Sequence, residues 1–376
     1  MNYNETALTI ALNSNRSFAA NSRYHFYPYA LITENLFPLV YSWDNLFEAY
    51  LDCFKNTTKS LEMLDSSHHF SDFMCIIEES LIKKTFVPEE PHKFIVHDPK
   101  ERTIKAPRFM TRVVQKALIQ VVGPFLDSFA VPFSCANIPG RGSIMVSDKV
   151  MEIINTCPFV LLMDVHHYFP SINNTNLRCM IYDLVKDPGL NWLLNLCIPS
   201  SPVSIDIGSI TSQYFANLYL DPLDKVIFYG LGNTNYCRYM DDFIVGASSY
   251  EEAYYLFNFI SQFLYNILGL TLNQHSGVIP SYSTFEFVGF RFENGQKKMK
   301  EIRLQNVLDE IAKFKMHRYG IEMYPFLLKD IVVNYIQNAR LHTEEEKGLN
   351  IVMNALYDIG ITHPLAKKPL LHVLSA

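Results

Sequence analysis

The sequence predicts an α+β fold in which two short strand units present acidic side chains and are flanked on both sides by helices. Three observations carry this. The run Tyr236-Cys-Arg-Tyr-Met-Asp-Asp-Phe-Ile-Val-Gly-Ala-Ser248 surrounds Asp241 and Asp242 with apolar and aromatic residues, the pattern of a β-hairpin that lifts two acids into a cleft. Phe159 to Met163 is an apolar run that delivers Asp164 at the end of a strand, and Pro170 marks the turn out of it. Before and after these segments, apolar residues recur at helical spacing.

Taken in chain order, residues 30–85 read as helices, with Leu46, Phe47, Tyr50, Phe73, Ile76, Ile77 and Leu81 in helical phase. Pro88 and Pro91 break the chain there. Thr111 is placed to cap a helix through Val113, Val114, Ala117, Leu118, Val121 and Val122, a phase that leaves Arg108 and Arg112 near one face, in reach of one triphosphate. Ser212 to Leu220 reads as a helix beneath the two strand units, ended by Pro222. After Phe292 the pattern is helical again, through Leu304, Val307, Leu308, Ile311, Ile331, Val332, Tyr335, Ile336, Ile351, Val352, Leu356 and Ile359.

Composition sets limits. At 376 residues, 49% hydrophobic, the chain can bury a large core in two or three lobes. No apolar stretch is long enough to span a membrane, and the polar start Met1-Asn2-Tyr3-Asn4-Glu5 is not expected to be a signal peptide. The seven cysteines form no C-x-x-C pair, so reduced core thiols in a cytoplasmic protein are expected rather than zinc or disulfides. The net charge of −6 runs against phosphate binding, yet Lys and Arg cluster locally. One cluster is Lys93, Lys100, Arg102, Lys105, Arg108, Arg112 and Lys116; the other is Lys297, Lys298, Lys300, Arg303, Lys313, Lys315 and Arg318. They flank the acidic segments and are expected to line a channel.

Adjacent buried carboxylates repel each other unless a cation lies between them, and Mg²⁺ suits carboxylate oxygens and phosphates together. Three acids on two strand units make a two-metal site for phosphoryl transfer the chemical expectation. His166 and His167 follow the first acid. No transition-metal site is expected from them, since neighbouring strand residues point to opposite faces.

Motif by motif, the chain resembles the reverse transcriptases, and among them the bacterial retroelement-type enzymes. Asp98-Pro-Lys-Glu-Arg-Thr-Ile-Lys-Ala-Pro107 with Arg112-Val-Val-Gln-Lys-Ala-Leu118 resembles the fingers motif. Ile138-Pro-Gly-Arg-Gly-Ser143 is similar to the glycine turn that follows it, and Asp164 to Ile172 to the motif around the first catalytic acid. Ile207-Gly-Ser-Ile-Thr-Ser-Gln213 onward resembles the loop and helix behind the incoming nucleotide, Tyr239 to Asp242 the paired-acid box, and Phe287-Val-Gly-Phe290 the primer grip. The resemblance covers residues 90–292, with a weaker echo in Ser42 to Tyr50.

The resemblance implies a right-hand polymerase. A helical extension (1–90) would precede fingers (91–160), a palm of antiparallel sheet backed by helices (161–292, with a fingers insertion around 173–206) and a helical thumb (293–376). The implied activity is RNA-directed DNA synthesis from a dedicated RNA template, using deoxynucleoside triphosphates and two Mg²⁺ ions, with Mn²⁺ as substitute. Asp164, Asp241 and Asp242 would hold the metals with the carbonyl of Val165. Arg102, Lys105, Arg112 and Gln213 would bind the nucleotide, and Phe169 would exclude a ribose 2′-hydroxyl. Val288 and Gly289 would grip the primer. His275 stands where the family usually carries a lysine proposed to protonate the leaving pyrophosphate, and an imidazole suits that task. Ile207 replaces the usual Gln of the pocket loop, which implies relaxed discrimination.

Two biological roles go with this resemblance: bacterial antiviral defence, and diversity-generating retroelements, which the Gly208-x-x-x-Ser212-Gln213 form of the loop resembles. No nuclease, ribonuclease-H or integrase block is recognised, the expectation for a compact, domesticated polymerase. RNA template and DNA product are the expected partners, together with a partner protein or a second copy of the chain. A reading of another class, a catalytically silent RNA-binding module, is opposed by the intact acids, since buried acids are costly to keep without a metal. An RNA-dependent RNA polymerase is opposed by Phe169.

Overall fold

In the computed structural model of the chain, the described residues are 31–55, 61–97, 101–299, 301–316, 335 and 350–355. The chain divides into two compact units, Met1–Ser281 and Tyr282–Ala376. Both mix helices with antiparallel sheet.

The first unit opens with helices α1 (Phe37–Val40), α2 (Trp43–Lys55), α3 (Leu61–His68) and α4 (Phe70–Ile82). As the spacing predicts, Leu46, Tyr50, Ile77 and Leu81 are buried, whereas Phe47 and Ile76 lie on the exposed side of the same helices. An exposed two-stranded hairpin follows, β1 (His92–His97) paired antiparallel with β2 (Glu101–Ala106). Helix α5 (Phe109–Phe129) starts at Phe109, not at Thr111. Thr111 is therefore inside the first turn, and its hydroxyl accepts from Glu89 N at 3.2 Å.

Next come α6 (Ser143–Thr156) and β3 (Phe159–Asp164), then α7 (Tyr168–Ser171), α8 (Asn174–Leu184) and α9 (Pro188–Leu196). The last two occupy the stretch read as a fingers insertion. Buried Asp187 ties them to the N-terminal helices: one carboxylate oxygen accepts from Gly189 N and Leu190 N, the other from Leu36 N and Phe37 N. Helix α10 (Ile210–Lys225) does not stop at Pro222 but runs through it. A proline inside a helix costs about 3 kcal/mol. Phe215, Ala216, Tyr219, Leu220 and Leu223 are almost wholly buried, and full burial of one large apolar side chain is worth roughly 1.5–3 kcal/mol. Packing outweighs the lost backbone donor.

Strands β4 (Tyr236–Tyr239) and β5 (Asp242–Ala247), helix α11 (Tyr250–Phe263) and β6 (Gly277–Pro280) complete the unit. The sheet has the order β4-β5-β3-β6, antiparallel throughout, so both acid-bearing segments lie at its centre.

In the second unit, β7 (Phe285–Phe287), β8 (Phe290–Glu293) and β9 (Gln296–Met299) form an antiparallel sheet with Phe285 stacked on Phe292 at 5.1 Å. Residues 282–292, read from the sequence as the end of the palm, belong to this unit. Helix α12 (Glu301–Met316) buries Val307 and Ile311, and Tyr335 and Val352 are buried too. Ile331, Val332, Ile336, Leu356, Ile359, Lys100, Lys300 and Arg318 lie outside the described residues. Among the described residues no helix is long and apolar enough to cross a membrane.

Candidate active site

The first acid is the last residue of β3, and its backbone is fastened from below. Asn273 N donates to Asp164 O at 2.7 Å, and the Ser276 hydroxyl accepts from Asp164 N at 3.0 Å. The second acid belongs to the hairpin. Tyr239 pairs with Asp242, leaving Met240 and Asp241 as a two-residue turn, with Met240 at φ +60°. Asp164 and Asp242 are register partners across β3 and β5, and Val165 N donates to Asp241 O at 3.3 Å. Asp164 and Asp242, 78 positions apart in the chain, thus meet because β3 and β5 are neighbours.

A cavity of about 660 Å³ opens at this end of the sheet. Asp164, Val165, Met240 and Asp241 line it together with Arg102 and Lys105 of β2 and Phe169. Phe169 is held by its own backbone, whose carbonyl accepts from Ile205 N at 3.1 Å. Tyr168 beside it is buried, and its hydroxyl donates to Ala216 O at 2.5 Å. Ile207 completes the wall, and its carbonyl accepts from Lys105 N at 2.8 Å. Gly208 makes that approach feasible. Its φ is +114°, and a Cβ there would stand 2.9 Å from Ile104 and 3.2 Å from Lys105 O.

Burial pushes the Asp241 carboxyl above the usual carboxylate range, and the charge of Asp164 adds to this. Arg102 and Arg238 pull the other way without reversing it. Two like-charged acids at one cavity wall are suited to a divalent cation, and an all-oxygen donor set suits Mg²⁺ or Mn²⁺. Of the three carboxylates expected from the sequence, Asp164 and Asp241 line the cavity. Asp242 does not line the cavity, and among the described residues no three or more His, Cys, Asp or Glu side chains gather as a metal cluster. Asp241 is in the turn and Asp242 begins the strand, opposite Asp164 in register.

Other expected residues lie elsewhere. Arg112 does not line the cavity; it stands near Cys53 of α2, where its charge opposes the burial that pushes that thiol up to about 11. Arg108 is turned to the Glu62 carboxylate and the Glu90 carbonyl, so the two arginines do not form a joint phosphate site. Gln213 and His275 are exposed and outside the cavity. Val288 and Gly289 form the two-residue turn between β7 and β8 of the second unit, both at positive φ. The first basic cluster is less free than its sequence suggests. Lys93 pairs with Glu90, Lys105 with Asp206 and Lys116 with Asp52.

Two residues that no motif marks as functional also line the cavity: Asp206, 2.7 Å from Lys105, and Asn273. The histidine pair is also corrected. His166 and His167 both line the cavity with ring centroids 4.1 Å apart, because the strand ends at Asp164 and His167 adopts a left-handed conformation at φ +44°. Opposite-face geometry no longer applies there.

No family model matches the chain, and no curated protein matches it. Solved structures similar to it include telomerase from Candida albicans bound to the TWJ fragment of telomeric RNA, at TM-score 0.46 and 11% identity over 77% of this chain and 66% of that one. Apo telomerase from Candida tropicalis is similar at TM-score 0.46 and 12% identity, over 76% of this chain and 67% of that one. A form of the latter truncated from its C-terminal domain gives TM-score 0.46 and 12% identity, over 59% of each chain. The chain thus spans about two thirds or less of these telomerase chains.

Proposed function

We propose that the chain is a reverse transcriptase, an RNA-directed DNA polymerase that extends a primer with deoxynucleotides on an RNA template. The observation that carries this reading is the convergence of Asp164, Asp241, Phe169, Arg102 and Lys105 on one cavity from four separate segments. These are residues to which the motif order had given complementary tasks.

In the proposed reaction the primer 3′-hydroxyl attacks the α-phosphorus of the incoming triphosphate. A P–O bond forms, the bond to the β-phosphate oxygen breaks, and pyrophosphate leaves. Asp164 and Asp241 would hold the divalent ions, with Val165 at the same wall and Asp242 supporting the pair from the strand. When bound, such ions supply positive charge to the attacking and leaving oxygens. Arg102 and Lys105 would bind the triphosphate oxygens. Phe169 would fill the space a ribose 2′-hydroxyl needs, which makes deoxynucleotides the substrates. His275 is given no part in this scheme, because it lies outside the cavity.

We propose bacterial antiviral defence as the role of this DNA synthesis, because the sequence from Tyr335 to Lys347 does not resemble the basic, small-residue thumb of the diversity-generating enzymes. The Gly208-to-Gln213 loop is the feature that favours the second role, a diversity-generating retroelement.

The test is incorporation of labelled deoxynucleotides and ribonucleotides on primed RNA and DNA templates with Mg²⁺ or Mn²⁺. The wild type should extend with deoxynucleotides, and Asp241→Ala with Asp242→Ala should abolish extension while the protein stays folded. Undiminished incorporation by the double variant would sink the polymerase reading and leave the RNA-binding module. Sequencing the nucleic acid that copurifies, with plaque counts on cells carrying wild type or variant, tests template and defence role.

A further inference from the structure

Arg238 is the largest fully buried side chain among the described residues, with 1% of its surface exposed. It sits two residues before the Met240–Asp241 turn. Its guanidinium makes a bidentate pair with Asp224 of α10, Nε to Oδ1 at 2.8 Å and Nη2 to Oδ2 at 2.6 Å. Nη1 donates to Met240 O at 2.8 Å and to Asn217 Oδ1 at 3.3 Å, and Nη2 to Ser134 Oγ at 2.9 Å and Asn217 O at 3.3 Å. The backbone is tied too: Arg238 N donates to Phe133 O, and Cys135 N to Arg238 O. Asp224, itself wholly buried, also accepts from the Tyr236 hydroxyl at 2.5 Å.

A buried ion pair is poor evidence of a stability gain, because desolvation offsets its attraction. Something else at this position uses the charge. The Met240 turn supplies it: a non-glycine residue at φ +60° is an uncommon conformation that persists only where the surroundings over-determine it. Its carbonyl is bonded to Arg238, whose forked geometry lets one side chain hold Asp224 and the turn together. An apolar side chain of equal volume would fill the space and leave that carbonyl without this donor.

Resting on the polymerase reading above, we propose that Arg238 is a positioning residue: it clamps the Met240 carbonyl to Asp224 and so holds Asp241 at the cavity wall. Asp224 anchors the clamp to α10. The start of that helix follows the Ile207–Gly208 wall, so acid turn and nucleotide wall share one support.

Arg238→Lys separates clamping from simple ion pairing. A lysine keeps the charge beside Asp224, but its single ammonium cannot span both Asp224 and the Met240 carbonyl. The variant should stay folded, lose about tenfold to a hundredfold in kcat, and need severalfold more Mg²⁺ for half-maximal rate, with KM for the nucleotide within about twofold. Asp224→Asn, which leaves Arg238 in place but weakens its anchor on α10, should lower the melting temperature and raise the Mg²⁺ requirement in the same direction as Arg238→Lys, by less. Arg238→Lys with wild-type kcat and Mg²⁺ requirement would overturn the proposal, as would losses that only track the folded fraction. If Arg238→Lys does not fold, amide hydrogen exchange on the wild type decides. Exchange at 239–242 as slow as at 243–245 supports the clamp, and fast exchange refutes it. A wild type that incorporates no nucleotide would refute the polymerase reading instead, while the exchange measurement still reads the clamp.

Discussion

Lys105 Nζ lies 2.7 Å from Asp206 Oδ1, and both residues line the cavity that holds Asp164 and Asp241. The cation assigned to the triphosphate therefore already has a counterion, which an incoming phosphate must displace. Both side chains keep part of their surface in solvent, so the pair is worth at most about 1 kcal/mol. Asp206→Asn should free Lys105 and lower KM for deoxynucleotides a few-fold at unchanged kcat, measured by steady-state kinetics at fixed ionic strength. A raised KM would mean that Asp206 aims the lysine.

Phe169→Ala should open the space beneath the sugar. The steric penalty removed is that of overpacking one hydroxyl, roughly 1–3 kcal/mol, or about tenfold to a hundredfold in discrimination. Competition between deoxy- and ribonucleotides on one primed template reads this directly. Equal use of both sugars by the wild type would show that Phe169 is not the gate.

Asp241→Asn should abolish incorporation yet stabilise the fold at neutral pH. Burial raises this carboxyl above its ordinary value of 3.8, so the folded protein holds the proton more tightly than the unfolded chain. The penalty is present above the folded value and disappears as pH falls through it. Thermal melts should show the variant more stable at pH 7, with the gap narrowing as pH falls towards the ordinary carboxylate value and gone below about pH 4. Added Mg²⁺ should narrow the gap at pH 7 by stabilising the wild type alone. A gap that does not change with pH would refute this account.

Val288 and Gly289 both have positive φ, at +46° and +78°, in the two-residue turn between β7 and β8. Such a turn favours Asn-Gly, and a β-branched residue at positive φ is a true outlier. Asn294-Gly295, with φ +51° and +72°, supplies the favoured pair between β8 and β9. Val288→Asn should raise stability by about 1 kcal/mol, read by denaturant unfolding. If Val288 touches the primer, the same variant should weaken primer extension. A destabilised variant would refute the strain.

The strand units and their acids were legible in the sequence, because each is a contiguous apolar run whose ends carry the acid. The register Asp164 to Asp242 follows from the pairing of β3 with β5, because a one-residue slip would turn each strand's buried face outward. The spacing from Asp164 to Phe169 is equally local, and both line the cavity. Helix ends were less legible. The start of α5 and the passage of α10 through Pro222 depend on what packs around them.

Legible along the chain are the short-range units: acids at the ends of apolar strand runs, a tight turn in the paired-acid hairpin, and a glycine in the pocket loop. Which charges meet depends on how distant segments pack. Arg108 and Arg112 share a helical phase with no carboxylate in view, yet Glu62 claims the first and Cys53 neighbours the second, from helices some fifty residues upstream. Lys105 acquires Asp206, and Arg238 acquires Asp224, by the same route. Spacing along a helix or strand fixes a side chain's direction, because backbone geometry repeats. Its partner is set by Coulomb attraction and desolvation in space, and no local pattern encodes those distances.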